Sequence, residues 1–220
     1  MAATKGGTRE RILDAAEQLF AEYGFEGASN RDIAALSGDT LGTLAHHFKT
    51  KDDLYVAVLR RRHKEIVDER ATRLLAKDNG ALSLEELISC LVSPFLRRAM
   101  EGEPGWRNYL RVMSRLAYSP KWYPQVIADL FDPVSREYLA RLQALFPEAS
   151  PKDVGYAYHF ILGCMLHAAS DLATRRLNVL TEGVCDASDF DAIRESLLRF
   201  ASAGVRAVVA RVPLPPAALY

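Results

Sequence analysis

Ser29-Asn-Arg-Asp-Ile-Ala-Ala-Leu-Ser-Gly38, followed by Asp39-Thr-Leu-Gly-Thr-Leu-Ala-His-His-Phe48, decides the fold of this chain. Ser29 stands where its side chain can cap a helix, whose apolar face would be Ile33, Ala34 and Leu36. Gly38 breaks that helix after about two turns. A second short helix fits residues 40–48. Upstream, residues 8–23 carry Ile12, Ala16, Leu19, Phe20 and Tyr23 at helical offsets, with Thr8 as the expected cap and Gly24 as the expected end. Downstream, a long helix starts near Lys51 and runs to about residue 76. Two short helices around a glycine-containing turn have the spacing of a helix-turn-helix. The helix from Thr40 is short and polar enough to enter a major groove, braced by the one before it. Spacing alone fits an ordinary three-helix core equally well.

The remainder also reads as helices, so the predicted fold class is all-α. Residues 77–80 (Lys-Asp-Asn-Gly) form the clearest linker-like break, and Ser83-Leu-Glu-Glu86 is a capping box. Further helices are expected over 84–100, 106–116, 123–131, 134–146, 151–177 and 189–212, with Pro151 opening its helix. The helix from Pro151 carries Tyr158, Ile161, Leu162 and Met165 on one stripe, and Phe160, Gly163 and Cys164 on the opposite side. A helix apolar on both sides needs partners on both sides. Together with Ile193, Leu197, Phe200 and Val205 of the last helix, Tyr158, Ile161, Leu162 and Met165 are the candidate four-helix dimer interface. The alternative is that both helices are central helices of a monomer.

Composition narrows the class. Of 220 residues 49% are hydrophobic and 25% charged, enough to bury a core, and Lys+Arg and Asp+Glu are 28 each, so net charge does not point to any partner. Cys90, Cys164 and Cys185 are odd in number and widely spaced, which argues against a disulfide framework and for a reducing compartment. No signal-peptide core opens the chain, and its most apolar run, residues 160–169, is about half of what a membrane span needs. A cytoplasmic location without membrane association is expected. The sequence lacks a Gly-rich phosphate loop, a GxSxG elbow and an HExxH pair, so no catalytic residue, cofactor or metal is assigned. Cys164, His167 and Asp171 share a helical face; a metal- or redox-sensing protein is the alternative they raise.

Beyond spacing, Thr8-Arg-Glu-Arg-Ile-Leu-Asp-Ala-Ala-Glu-Gln-Leu-Phe-Ala-Glu-Tyr-Gly24, Ser29-Asn-Arg-Asp-Ile-Ala34, Gly42-Thr-Leu-Ala-His-His-Phe48 and Lys51-Asp-Asp-Leu-Tyr-Val-Ala-Val58 resemble the TetR family. The resemblance runs through the first 58 residues without a gap. It implies an all-helical homodimer, with a three-helix helix-turn-helix head over residues 1–58 and a ligand-binding and dimerisation domain over 59–220. The recognition helix would span 40–47, opening with Thr40, Leu41 and Gly42, and two heads would reach major grooves about 34–36 Å apart or a multiple of that. By position, Thr43, His46 and His47 match residues that contact base edges or phosphates. Lys51 matches a phosphate contact, and Ser29, Asn30 and Arg31 lie where the bracing helix meets the backbone. Phe48 reads as packing, and His47 as packing or contact.

Three positions depart from the family pattern. Leu41 replaces a frequent lysine, Ala45 a tyrosine that touches phosphate, and Asp39 an apolar turn residue. Residues 1–59 also hold six Lys/Arg against nine Asp/Glu, an unhelpful balance for phosphate binding. The run Arg60-Arg-Arg-His-Lys64 could assist DNA binding, face solvent, or form intersubunit ion pairs. A helical protein without DNA binding is the alternative that this balance raises.

The later segments resemble the branch of the family that responds to fatty acids or their CoA thioesters, through Trp106-Arg-Asn-Tyr-Leu-Arg-Val-Met113 and His159-Phe-Ile-Leu-Gly-Cys-Met-Leu-His167 among others. Candidate effector contacts are Trp106, Tyr109, Arg111, Met113, Trp122, Tyr123, Phe131, His159 and Phe160, with Arg107, Asn108 and Arg115 as further polar anchors. The partners implied are double-stranded operator DNA, a small hydrophobic effector and a second copy of the chain. The implied function is repression relieved by the effector.

Overall fold

A computed structural model describes residues 7–76, 82–116, 119, 121–122, 126 and 128–212. Among these residues every regular element is a helix: α1 Thr8–Gly27, α2 Asn30–Ser37, α3 Leu41–His47, α4 Lys51–Leu75, α5 Leu84–Glu101, α6 Pro104–Leu116, α7 Ala128–Leu130, α8 Asp132–Leu145, α9 Pro151–Thr174, α10 Arg176–Leu180 and α11 Phe190–Val209. No described helix is long and apolar enough to cross a membrane. The helix expected over 123–131 falls partly outside the described residues. The break at 77–80 lies wholly outside them.

The chain forms two compact units, Met1–Val67 with Glu101–Phe131, and Asp68–Met100 with Asp132–Tyr220. In the first, α1 packs on both α2 and α6, and α2 packs on α3. Its core includes Ile12, Leu13, Ala16 and Phe20 of α1, Ile33 and Ala34 of α2, Leu44 of α3 and Leu54 of α4, all buried. Tyr23 and Leu36, read as core from their spacing, are 57% and 48% exposed. Tyr23 precedes a kink at Gly24 (φ 74°, ψ 176°), where the helical register changes. Arg115 of α6 donates to the carbonyls of Phe20 and Glu22 at 3.2 and 3.3 Å, satisfying oxygens near the kink. Thr8 does not cap α1. The cap position is Gly7, and Thr8 Oγ1 accepts from Arg11 instead.

An ion cluster joins α1 to α4. The Glu17 carboxylate, 2% exposed, accepts from Arg61 Nη2 at 2.9 Å and from Arg62 Nε at 2.7 Å and Nη2 at 3.1 Å. A buried carboxylate persists only when paired in this way. Arg62 also lies over the Trp106 ring, 5.0 Å from its centroid. At Gly105 a Cβ would stand 2.1 Å from Arg62 Nη2, so a larger residue there would displace the guanidinium from its place beside Glu17.

In the second unit α9 packs on α11 and α8. The capping box forms as read: Ser83 Oγ accepts from Glu86 N at 3.2 Å, and Glu86 Oε2 accepts from Ser83 N at 3.0 Å. Ser150 caps α9 with Pro151 in its first turn. The long helix predicted to residue 177 stops at Thr174, where Asp171 accepts from Thr174 Oγ1 and from the backbone N–H groups of Arg176 and Leu177. These bonds begin the short α10, which periodicity did not signal.

Candidate functional site

The helix-turn-helix is built by two side-chain caps and one glycine. Ser29 Oγ accepts from Asp32 N at 3.1 Å, and Thr40 Oγ1 accepts from Thr43 N at 3.1 Å, fixing where α2 and α3 begin. Gly38, at φ 74° in the left-handed region, ends α2 and returns its N–H to the carbonyls of Ala34 and Ala35. Leu44 and Phe48 are buried and hold α3 to the core. Phe48 is therefore packing, as read from sequence.

The faces of α2 and α3 away from that core remain open. Ser29, Arg31, Thr40, Leu41, Gly42, His46 and His47 are exposed, while Asn30, Thr43 and Lys51 are half-buried. His47 resolves as an open residue, its ring 5.4 Å from His46. Leu41 is 51% exposed, an apolar side chain offered on the same face as the hydroxyl and imidazole groups. Such a mixture can donate, accept and cover a methyl group, which is what base edges in a major groove require. Lys49, not singled out by motif, is exposed beside α3. Lys51 Nζ lies 4.5 Å from the Phe25 ring centroid, which leaves its charge near the start of α4.

The acidic balance of the head is largely neutralised by pairing. Arg61 takes Asp14 at 2.7 Å and Glu10 at 3.5 Å besides Glu17, and Lys121 takes Asp52 at 3.0 Å. Asp39, the unusual turn residue, pairs with Arg11 at 2.9 Å. Arg61 and Arg62 thus act within the chain, tying α4 to α1, rather than on solvent or a second subunit. Arg60 pairs with Asp129 at 3.2 Å.

The effector candidates divide between the two units. Trp106, Tyr109, Arg111, Met113, Trp122 and Phe131 belong to the first unit, His159 and Phe160 to the second, and Tyr123 lies outside the described residues. Trp122 packs against Phe25 and Tyr55, with ring centroids at 4.9 and 4.8 Å. There burial pushes the Tyr55 hydroxyl up to about 12, opposed by Arg115. Trp106 packs on Tyr109 at 5.7 Å. Trp106, Tyr109, Met113 and Trp122 are buried, so these aromatic and thioether groups serve as core of the first unit. Phe131 meets His63 edge-on at 4.4 Å, and Arg111 is exposed. Arg115, a further anchor candidate, is engaged by the α1 carbonyls.

His159 and Phe160 instead border an open apolar groove of about 400 Å³ on α9 and α11, together with Gly163, Cys164, Phe200 and Gly204. Phe160 and Phe200 are 58% and 70% exposed. Tyr158, Ile161, Met165, Leu197 and Val205, expected to face a second copy, are each below a tenth exposed, and Leu162 and Ile193 are half-buried. Those five pack inside their own unit. Ile161 and Val205 nevertheless also line the groove beside Phe160 and Phe200, so the open apolar surface takes in part of the interface read from the sequence. Asp171 is engaged as the cap of α10, and among the described residues no group of three His, Cys, Asp or Glu is arranged to hold a metal.

Comparison with known proteins places this geometry. The family model described as bacterial regulatory proteins, tetR family, matches residues 12–58, and the tetracyclin repressor-like C-terminal domain matches residues 89–204. The transcriptional repressor AcnR of Corynebacterium glutamicum is 38% identical over 65 residues, covering 28% of this chain and 35% of the relative. AcnR of Corynebacterium efficiens is 38% identical over 114 residues, 48% of this chain and 60% of the relative. These matches therefore span about a third to three-fifths of the relatives' own length. A TetR-like transcriptional regulator from Rhodococcus sp. RHA1 shares the fold with a TM-score of 0.68 at 21% identity, over 93% of this chain and 99% of that one.

Proposed function

The chain belongs to the TetR family of bacterial regulatory proteins, and from that premise we propose that it is an effector-responsive repressor that binds operator DNA as a homodimer. The observation that carries the DNA reading is the division of α3. Leu44 and Phe48 are sunk in the core, while Thr40, Leu41, Gly42, His46 and His47 stay open along the same short helix. In this reading Thr43, His46, His47 and Leu41 meet base edges. Ser29, Asn30, Arg31 and Lys51 hold the phosphate backbone. Residues 1–58 act as the DNA-binding head and 59–220 as the effector and dimerisation domain.

The α9–α11 groove supports the second copy as its occupant, with Phe160 and Phe200 at its centre. The effector is a small hydrophobic molecule of the fatty-acid or acyl-CoA kind. It acts by favouring one arrangement of the dimer while DNA favours the other; a thousandfold loss of operator affinity requires about 4 kcal/mol of coupling. The test is a footprint of the full-length protein on DNA upstream of its own gene, with and without long-chain acyl-CoA. A protected near-palindrome that acyl-CoA abolishes is expected. Protection unaffected by acyl-CoA removes the CoA thioester, and no protection even at low salt removes repression at that site.

A further inference from the structure

The open side of α3 carries few hydrogen-bonding groups for a helix that reads base edges. Leu41, Gly42, Ala45 and His46 are exposed, whereas Leu44 and Phe48 are buried. Leu41 alone is 51% exposed. Leu41 and Ala45 are four residues apart, so on a helix they stand side by side with Cβ atoms about 5–6 Å apart. The neighbouring threonines turn part of their hydrogen bonding inward. Thr40 Oγ1 accepts from Thr43 N at 3.1 Å and lies 2.9 Å from Thr43 Oγ1, so one of the two hydroxyl protons is spent within the pair.

Gly42 lies beside them. A Cβ there would meet the Thr40 hydroxyl oxygen at 3.7 Å, an ordinary contact, and nothing nearer. Unlike Gly38, Gly42 does not have a positive φ. The packing of the chain therefore does not demand glycine at 42, and glycine is a poor helix former. Its missing side chain lets the backbone of α3 approach an outside surface and carries Leu41 and Ala45 to that surface.

In the major groove, base pairs present hydrogen-bonding atoms and one projecting apolar group, the C5 methyl of thymine. A leucine pressed on guanine O6 or N7 strips water from an acceptor and returns no hydrogen bond, which weakens binding. Against a thymine methyl both surfaces are apolar, and burial favours the contact. A lysine at 41 would donate to guanine, which leucine cannot do. We propose that α3 selects its operator through thymine methyl groups. Leu41 and Ala45 each cover the methyl of one thymine. The two thymines stand one or two base pairs apart in each half-site, because base pairs rise about 3.4 Å per step. Operator binding by the chain is the premise, and the methyl group is what this face adds to it.

Full-length protein is used to select duplexes from a random-sequence pool, and the selected duplex is remade with deoxyuridine in place of thymidine, one position at a time. Uracil keeps every hydrogen-bonding atom of thymine and lacks only the methyl. Each selected half-site should hold two fixed thymines one or two base pairs apart. By anisotropy, uracil at either one should weaken binding about fourfold, and at the same position of both half-sites about fifteenfold. Leu41→Ala changes an exposed residue and should melt as wild type does. It should bind the selected duplex more weakly and lose the uracil response at one of the two thymines, while the other still costs about fourfold. A leucine that merely occupies the surface would leave both responses unchanged. Half-sites without fixed thymines, equal affinity for thymine and uracil duplexes, or undiminished responses at both positions in Leu41→Ala would each overturn methyl readout and leave operator binding in place. If no duplex is selected even at low salt, methyl readout and operator binding fall together.

Discussion

Arg31→Ala should weaken the salt dependence of operator binding while leaving the fold intact. Residues 1–59 carry more acids than bases, but Glu10, Asp14 and Glu17 are paired with Arg61, Asp39 with Arg11 and Asp52 with Lys121. Around α2, α3 and the start of α4 this leaves Arg31, Lys49 and Lys51 as the cations facing outward. If each neutralises one phosphate in both heads of the proposed dimer, log K against log salt has a slope of about −5.4. Affinity then falls about two-thousandfold between about 50 and 200 mM salt. Without Arg31 the slope becomes about −3.6 and that fall shrinks to about 150-fold. Since Arg31 is exposed, its loss should change stability by no more than about 0.5 kcal/mol. Anisotropy of a labelled operator titrated with salt, run on wild type and variant, measures both slopes. An unchanged slope in Arg31→Ala, or a wild-type slope shallower than about −2, would refute this account of the head.

Three other perturbations follow from the same geometry. Glu17→Ala strips the carboxylate from between Arg61 and Arg62 and should cost about 2–4 kcal/mol, lowering the melting temperature by about 5–15 °C; a loss below about 1 kcal/mol would mean that Asp14 and Glu10 suffice for both arginines. Phe200→Glu places a charge at the centre of the apolar groove and should convert a dimer to monomer by light scattering, whereas a surviving dimer would put the interface elsewhere. At Asp171, burial raises the carboxyl pKa, but bonds from Thr174, Leu177 and Arg176 outweigh it and hold it below its ordinary value of 3.8. These bonds stabilise α10 fully above that value and are lost as pH falls through the lower folded-state value. Asp171→Ala should therefore be less stable than wild type near pH 7 and converge with it in acid; a gap that persists at low pH would contradict the assignment.

Local chemistry was legible in the chain. Ser29 and Ser83 cap the helices they precede, Pro151 opens its helix, and Gly24 and Gly38 interrupt helices where positive φ is needed, because those effects act within about four residues. The open and buried sides of α3 were partly legible too. Family resemblance marked Thr43, His46 and His47, but whether His47 was packing or open had to await the fold. Tyr23 and Leu36 were misread because periodicity locates an apolar face only while the helix stays regular and has a neighbour on that side.

By itself, the sequence determined an all-helical chain, a helix-turn-helix at residues 29–48 and membership of a regulator family, since periodicity, caps and motif residues are local properties. Only the tertiary structure decided that Asp39 meets Arg11 and that Glu17 meets Arg61 and Arg62, pairs 28 to 45 residues apart. It also decided that Tyr158, Ile161 and Met165 are buried while Phe160 remains exposed. A helix apolar on both sides reads the same in sequence whichever side is covered. Which side is buried, and which charge meets which, depends on the helices packed against it.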